Sequence, residues 1–120
     1  MSIKSERAAS LMIKELNNIL LTESNDELFK SVTITYANIT SDLSYAKIYF
    51  TTLMDDKEKL VKELNEASSF FRSEIAKRIN LRHMPELTFV YDESIEYGKK
   101  IEDIINKIHE DESKWLYGNN

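Results

Sequence analysis

Residues 31–53, SVTITYANITSDLSYAKIYFTTL, decide the fold. Val32, Ile34 and Tyr36 alternate with Thr33, Thr35 and Ala37, and Ala46, Ile48 and Phe50 alternate with Tyr45, Lys47, Tyr49 and Thr51. A period of two predicts two strands, each with one buried and one wet face. The connection Thr40-Ser41-Asp42-Leu43-Ser44 is short and polar, so an antiparallel hairpin joins them most economically. It holds no glycine from which a turn type could be read.

On the N-terminal side, Ala9, Met12, Ile13, Leu16, Ile19 and Leu20 recur at spacings of three and four, which predicts an amphipathic helix from Ser5 to about Thr22. Ser24-Asn25-Asp26 then favours a turn, because these side chains bond their own backbone. On the other side, Asp55 and Glu58 have the spacing of a capping box, and Leu60, Leu64, Ala67, Phe71, Ile75 and Ile79 carry a helical run. The small, hydroxyl-bearing stretch Ala67-Ser68-Ser69 is a plausible kink that divides this run into two helices. Pro85 closes it. Leu87, Phe89 and Tyr91 alternate as a third strand, and Asp92 can cap a last helix with the stripe Ile101, Ile104, Ile105 and Ile108. The order is α-β-β-α-(kink)-α-β-α. A three-stranded sheet with one buried face needs its helices on one side, giving a two-layer α+β domain. The stripes Leu60/Leu64/Phe71/Ile75 and Ile101/Ile105/Ile108 are expected in the core, while Trp115 and Leu116 read either as docking back on the domain or as a partner-binding tail.

Composition narrows the function classes. The chain has 120 residues, two Gly, one Pro and no Cys, which leaves room for one core and excludes disulfides and thiolate metal sites. His83 and His109 are too far apart in sequence to form a local metal cluster, so no metal is expected. No apolar run approaches the ~20 residues of a membrane span, and the first residues lack the apolar stretch of a signal peptide, which predicts a cytoplasmic protein with no membrane partner. The net charge of −5 is uneven: residues 92–120 hold 8 acids and 4 bases, residues 1–91 hold 13 and 12. No nucleophile elbow, phosphate-cradling glycine loop or carboxylate constellation is present, so no catalytic residue is expected and an enzyme is disfavoured. The two histidines read as surface or cap residues.

Against this acidic background, residues 70–83 carry Arg72, Lys77, Arg78 and Arg82 with Glu74 as their single acid. Such a run is either a solvated helix face or a surface that contacts phosphates, which Arg forks match. Tyr45, Lys47 and Tyr49 line up on the wet face of the hairpin. That reads either as ordinary β-propensity or as rings and a cation available for stacking.

Several strings together resemble the ribosome-binding factor A family: Val32-Thr33-Ile34-Thr35, Asp42-Leu43-Ser44-Tyr45-Ala46-Lys47-Ile48-Tyr49, Leu64-Asn65-Glu66-Ala67-Ser68-Ser69-Phe70-Phe71-Arg72, Leu81-Arg82-His83-Met84-Pro85-Glu86-Leu87-Thr88-Phe89 and Tyr91-Asp92-Glu93-Ser94. The resemblance covers roughly residues 5–108 in one register. It implies a type II KH-like domain over residues 1–110, followed by a short C-terminal tail, 111–120. It implies a non-catalytic assembly factor that needs no cofactor, is a monomer when free and has no DNA partner. Such a factor binds the immature 30S subunit and its 16S rRNA, promotes late maturation and 5′-end processing of that rRNA, and matters most in the cold. The kink of the family falls on Ala67, Ser68 and Ser69, where Ser69 replaces a glycine. A serine at positive φ carries a steric cost that glycine does not, which leaves a kink of ordinary dihedrals. The turn after the first helix departs too, with Asn25-Asp26-Glu27-Leu28 placing an acid where the family has a base. RNA contact is therefore expected at Arg72, Lys77, Arg78 and Arg82, with Arg7, Lys14 and Lys47 secondary. The alternative is a protein-interaction adaptor of the same fold that touches RNA little.

Overall fold

The computed structural model describes the backbone of residues 2–23 and 27–117 and, within them, the side chains of all but Ile95, Tyr97 and residues 110–117. The elements run α1 (Ile3–Thr22), α2 (Glu27–Lys30), β1 (Val32–Ile39), β2 (Tyr45–Thr52), α3 (Lys57–Glu66), α4 (Ser68–Arg78), β3 (Glu86–Tyr91) and α5 (Ser94–Tyr117). This is the expected order with one short helix, α2, added. The expected turn at 24–26 lies outside the described residues, as do the side chains of Trp115 and Leu116 on which their docking depends.

The sheet order is β1-β2-β3. β1 and β2 form the antiparallel hairpin, and β3 adds parallel to β2 after the helical excursion. α1, α3 and α4 cover one face, and Met12, Leu16, Ile48, Phe50, Leu64, Phe71, Ile75 and Phe89 are almost fully buried between the layers. Phe71 is central to this core. Its ring lies 5.8 Å from Phe29 of α2, 5.2 Å from Phe89 of β3 and 5.3 Å from the half-exposed Phe70. α2 places Phe29 in the core with Leu28 packed beside it, and four residues are too few to leave a periodic signal.

Two asparagines fasten the helices to the sheet. Asn17 of α1 accepts from the Ile34 amide (2.8 Å) and donates to its carbonyl (3.2 Å), while Asn65 of α3 accepts from the Phe89 amide (2.7 Å) and donates to its carbonyl (3.1 Å). Each side-chain amide so completes a backbone pair that would otherwise lack partners inside the fold.

The helical run does divide at Ala67, where φ −90° and ψ 11° end α3 and begin α4. Ser68 and Ser69 form the first turn of α4, and Ser68 Oγ donates to the Leu87 carbonyl (3.1 Å). Leu43 alone among the described residues takes a positive φ, so the break at Ala67 needs no left-handed residue.

Four expectations are corrected. The cap of α3 is Asp56, whose side chain accepts from the Lys59 amide (3.0 Å), one residue later than the Asp55–Glu58 box. α1 begins at Ile3, because Ser2 caps it by accepting from the Ser5 amide (3.2 Å). The third correction is a β-bulge between Ile34 and Tyr36 that shifts the register of β1. The extra residue reverses parity: Ala37 and Ile39 turn inward and Tyr36, expected on the buried face with Val32 and Ile34, turns outward at 48% exposure. Thr35 at the bulge donates from Oγ1 to Asp92 Oδ2 (2.6 Å), and Asp92 Oδ1 accepts from the Ser94 amide (3.0 Å) at the start of α5.

The Ser94 hydroxyl also donates to Asp92 Oδ1, and this bond first, then that from Thr35, holds the Asp92 carboxyl below the usual aspartate range. A folded-state pKa that is depressed adds stability present above the unfolded value, near 3.8, and lost as the pH falls through the lower folded value. Urea unfolding followed from neutral pH into that acid range should show the loss, and Asp92→Asn should flatten this limb. An acid limb identical in the two proteins would mean that the bonds Asp92 accepts from Ser94 and Thr35 do not stabilise the fold.

The fourth correction concerns α5. Ile101, Ile104, Ile105 and Ile108, expected in the core, are 40–54% exposed. The helix runs through Tyr117. Glu96 ties its first turn to the domain through an ion pair with Lys57 and a hydrogen bond from the Tyr91 hydroxyl (3.1 Å). Beyond that turn the helix extends away, which accounts for a radius of gyration of 19.2 Å where a compact chain of this length would have about 14 Å.

Candidate nucleic-acid interface

The turn between β1 and β2 organises one end of the domain. Thr40 Oγ1 accepts from the amides of Ser44 (3.2 Å) and Tyr45 (3.1 Å) and donates to Asp42 Oδ1 (2.8 Å), which also accepts from the Ser44 amide (3.0 Å). These bonds, that of Thr40 first, lower the Asp42 pKa. They hold Leu43 at φ 61°, a conformation that glycine usually supplies and that costs other residues about 1–3 kcal/mol. The side chain of Leu43 is buried, and that burial offsets the strain.

Leu43 separates two adjoining clefts. One is lined by Ile3, Lys4, Arg7, Ala8, Leu11, Leu43 and Leu81; the other by Lys4, Ser41, Asp42, Leu43, Arg82 and His83. The start of α1, the hairpin turn and the loop after α4 thus bring Lys4, Arg7 and Arg82 to one place, with His83 beside them and Asp42 as the acid of the lining. Lys4, Arg7, Arg82 and His83 are all exposed. A third cleft, lined by Ser44, Tyr45, Arg72, His83, Met84 and Glu86, continues from His83 toward the sheet. Three cations facing solvent in a chain of net charge −5 form a local positive field suited to phosphate oxygens.

The other expected cations are placed differently. The Arg72 guanidinium is turned onto the chain itself, donating from Nε to the Pro85 carbonyl (3.0 Å) and from Nη2 to the Met84 carbonyl (3.1 Å), so it fastens the loop that enters β3. Arg78 is enclosed by carboxylates, at 2.8 Å from Glu74, 3.3 Å from Glu23 and 3.7 Å from Glu15. This network joins α4 to α1. The Glu74 hydrogen bond, chief among these contacts, raises the Arg78 pKa, and the bonds from Arg78 and then Lys77 lower that of Glu74. Lys77 pairs with Glu74 (3.0 Å) at a 67% exposed side chain. Lys14 is exposed on α1, two turns beyond Arg7, and Lys47 is exposed on the open face of the sheet. Arg7 and Arg82 therefore come together, while Lys14, Lys47, Lys77 and Arg78 lie elsewhere.

Lys4 was not among the sequence candidates. Its signal was the spacing Lys4-x-x-Arg7, one helical turn, at the end of α1 that faces the hairpin. Among the described residues, no three His, Asp or Glu side chains are grouped so as to hold a metal ion, and no helix is long and apolar enough to cross a membrane.

Comparison with known proteins gives a consistent result. Residues 4–105 match the family described as Ribosome-binding factor A. The ribosome-binding factor A of Staphylococcus epidermidis is 43% identical over 113 residues, 92% of this chain and 97% of its own. The crystal structure of ribosome-binding factor A from Thermus thermophilus aligns with a TM-score of 0.65 at 17% identity, covering 72% of this chain and 93% of its own. A homology model of the T. thermophilus factor, fitted into a cryo-EM map of its 30S complex, aligns with a TM-score of 0.59 at 17% identity over 71% and 91%. At those identities the likeness to the solved structures is one of fold.

Proposed function

The chain belongs to the ribosome-binding factor A family, and from that premise we propose that it is a non-catalytic ribosome assembly factor. It binds the immature 30S subunit through 16S rRNA and favours one arrangement of that RNA during late maturation, including 5′-end processing. The observation that carries this reading is the pair of adjoining clefts in which Lys4, Arg7 and Arg82 converge.

The mechanism is a population shift. A protein that binds one of two RNA arrangements more tightly favours it by that difference in affinity and no more. Mispaired RNA persists longer at low temperature, so dependence on the protein is greatest in the cold. The acidic remainder of the surface opposes attachment to other polyanions, since like charges disfavour wrong partners. The cytoplasm, where ribosomes assemble in bacteria, is its place of action. It acts as a monomer, the domain of residues 1–110 carrying the contact and residues 111–120 outside it.

Co-sedimentation with small subunits across a salt series tests the reading. Phosphate contacts make the logarithm of affinity fall linearly with the logarithm of salt, by about 0.7–0.9 per contact. A slope of about 2.7 or more supports at least three phosphate contacts. Binding indifferent to salt would transfer the function to an adaptor that recognises protein.

A further inference from the structure

We infer that the open face of the sheet is a stacking platform for unpaired bases of single-stranded RNA, a second contact surface that rests on the rRNA-binding reading above. Among the described residues, the helices cover one face of the sheet and leave the other bare. On the bare face, register brings Asn38, Lys47 and Thr88 into one row across the strands, and Tyr36 and Tyr49 into the next. Tyr36 and Tyr49 have ring centroids 5.6 Å apart at 48°. Tyr45 stands on the same side of β2 as Lys47 and Tyr49 and is 61% exposed.

The bulge is the telling feature. Without it the parity of β1 would bury Tyr36, and the aromatic pair would not form. A bulge interrupts the ladder and bends the strand, and here the result is a ring turned to solvent beside a second ring.

The chemistry of the face selects its occupant. Among the described outer positions of the three strands, Val90 is the single aliphatic side chain and Glu86 the single carboxylate. An apolar protein surface would find little to bury. A base, in contrast, offers a π-face to a ring and polar edges to hydroxyl and amide groups, and its phosphate suits Lys47. Tyr45 and Tyr49 are four residues apart, about 13 Å along a strand, and two or three bases on a sheet is a known scale of recognition. Continuity supports the same occupant: Tyr45 lines the cleft that holds Arg72 and His83, and His83 lines the cleft that holds Lys4 and Arg82. One RNA strand can therefore lay its backbone along the clefts and its bases over the tyrosines.

The test measures binding of a short mixed-sequence single-stranded oligoribonucleotide, a duplex of the same sequence and small ribosomal subunits. The proteins are the wild type, Tyr36→Ala, Tyr36→Phe, Tyr45→Ala and Lys47→Ala. Tyr36→Ala and Tyr45→Ala should each weaken single-strand binding about tenfold, while Tyr36→Phe, which keeps the ring, stays within about twofold of wild type. Neither alanine variant should change the salt slope or the duplex affinity, whereas Lys47→Ala should lower the slope by about one. Tyr45→Ala should leave the thermal unfolding midpoint unchanged, and Tyr36→Ala, which also loses the ring contact with Tyr49, should lower it by no more than a few degrees. Single-strand binding indifferent to both alanine variants overturns the inference. Loss of subunit binding with oligonucleotide binding intact also overturns it, and assigns the face to a protein. A wild type that binds neither RNA nor subunits fails the rRNA reading itself; a wild type that binds through Lys4 and Arg82 but ignores Tyr36 and Tyr45 fails this inference alone.

Discussion

A protein carrying Lys4→Glu, Arg7→Glu and Arg82→Glu is expected to bind small subunits at least about a hundredfold more weakly, with a salt slope shallower by about two to three. These three cations line adjoining clefts, and the bonds that build the turn beside them come from Thr40 and Asp42. The fold should therefore survive the change, as circular dichroism would register. Arg78→Ala is the informative comparison. Its guanidinium already faces Glu15, Glu23 and Glu74, so replacing it should loosen the α4–α1 junction and leave the salt slope near that of wild type. The opposite ranking, a shallow slope in Arg78→Ala and a steep one in the triple variant, would move the contact surface from the clefts to the α4–α1 junction.

Phe71→Ala should be the most destabilising single core substitution, at about 3–5 kcal/mol. The ring has no exposed surface and joins Phe29 and Phe89, so its loss empties the place where α2, α4 and β3 meet. Domains are stable by about 5–15 kcal/mol, so this one change consumes a large share. Urea unfolding with an unchanged m-value would report it as a lower midpoint. Phe70→Ala supplies the contrast: Phe70 is 39% exposed and should cost a fraction as much. Equal losses for the two neighbours would show that Phe71 is not the centre of the core.

Much of the fold was legible because burial writes itself into spacing. Strand alternation in 31–53, the stripe of α1 and the stripe Leu60/Leu64/Phe71/Ile75 all predicted faces that the structure buries. Alternation fails where a bulge changes parity. The clue was present, since Ile34, Ala37 and Ile39 are spaced three and then two, but an apolar tyrosine between them satisfied the simpler pattern. The stripe of α5 shows a different limit. Periodicity reports that a helix has an apolar side, and it is silent on whether this chain covers it. For the candidate interface, the count of cations in 70–83 gave their sign without their engagements. Arg72 spends its donors on two carbonyls and Arg78 on three carboxylates, while Lys4, remote in sequence from Arg82, joins it only through the fold.

The amides of Asn17 and Asn65 have one more consequence. β1 and β3 are the outer strands of the sheet, and an outer strand is a template on which a stray chain can add itself and begin a fibril. At Ile34 in β1 and at Phe89 in β3, the donor and acceptor that an incoming strand would need are already occupied by a side chain anchored in a helix. The same two residues that seat the helices therefore act as stoppers against aggregation, at both margins of a sheet that keeps its broad face open.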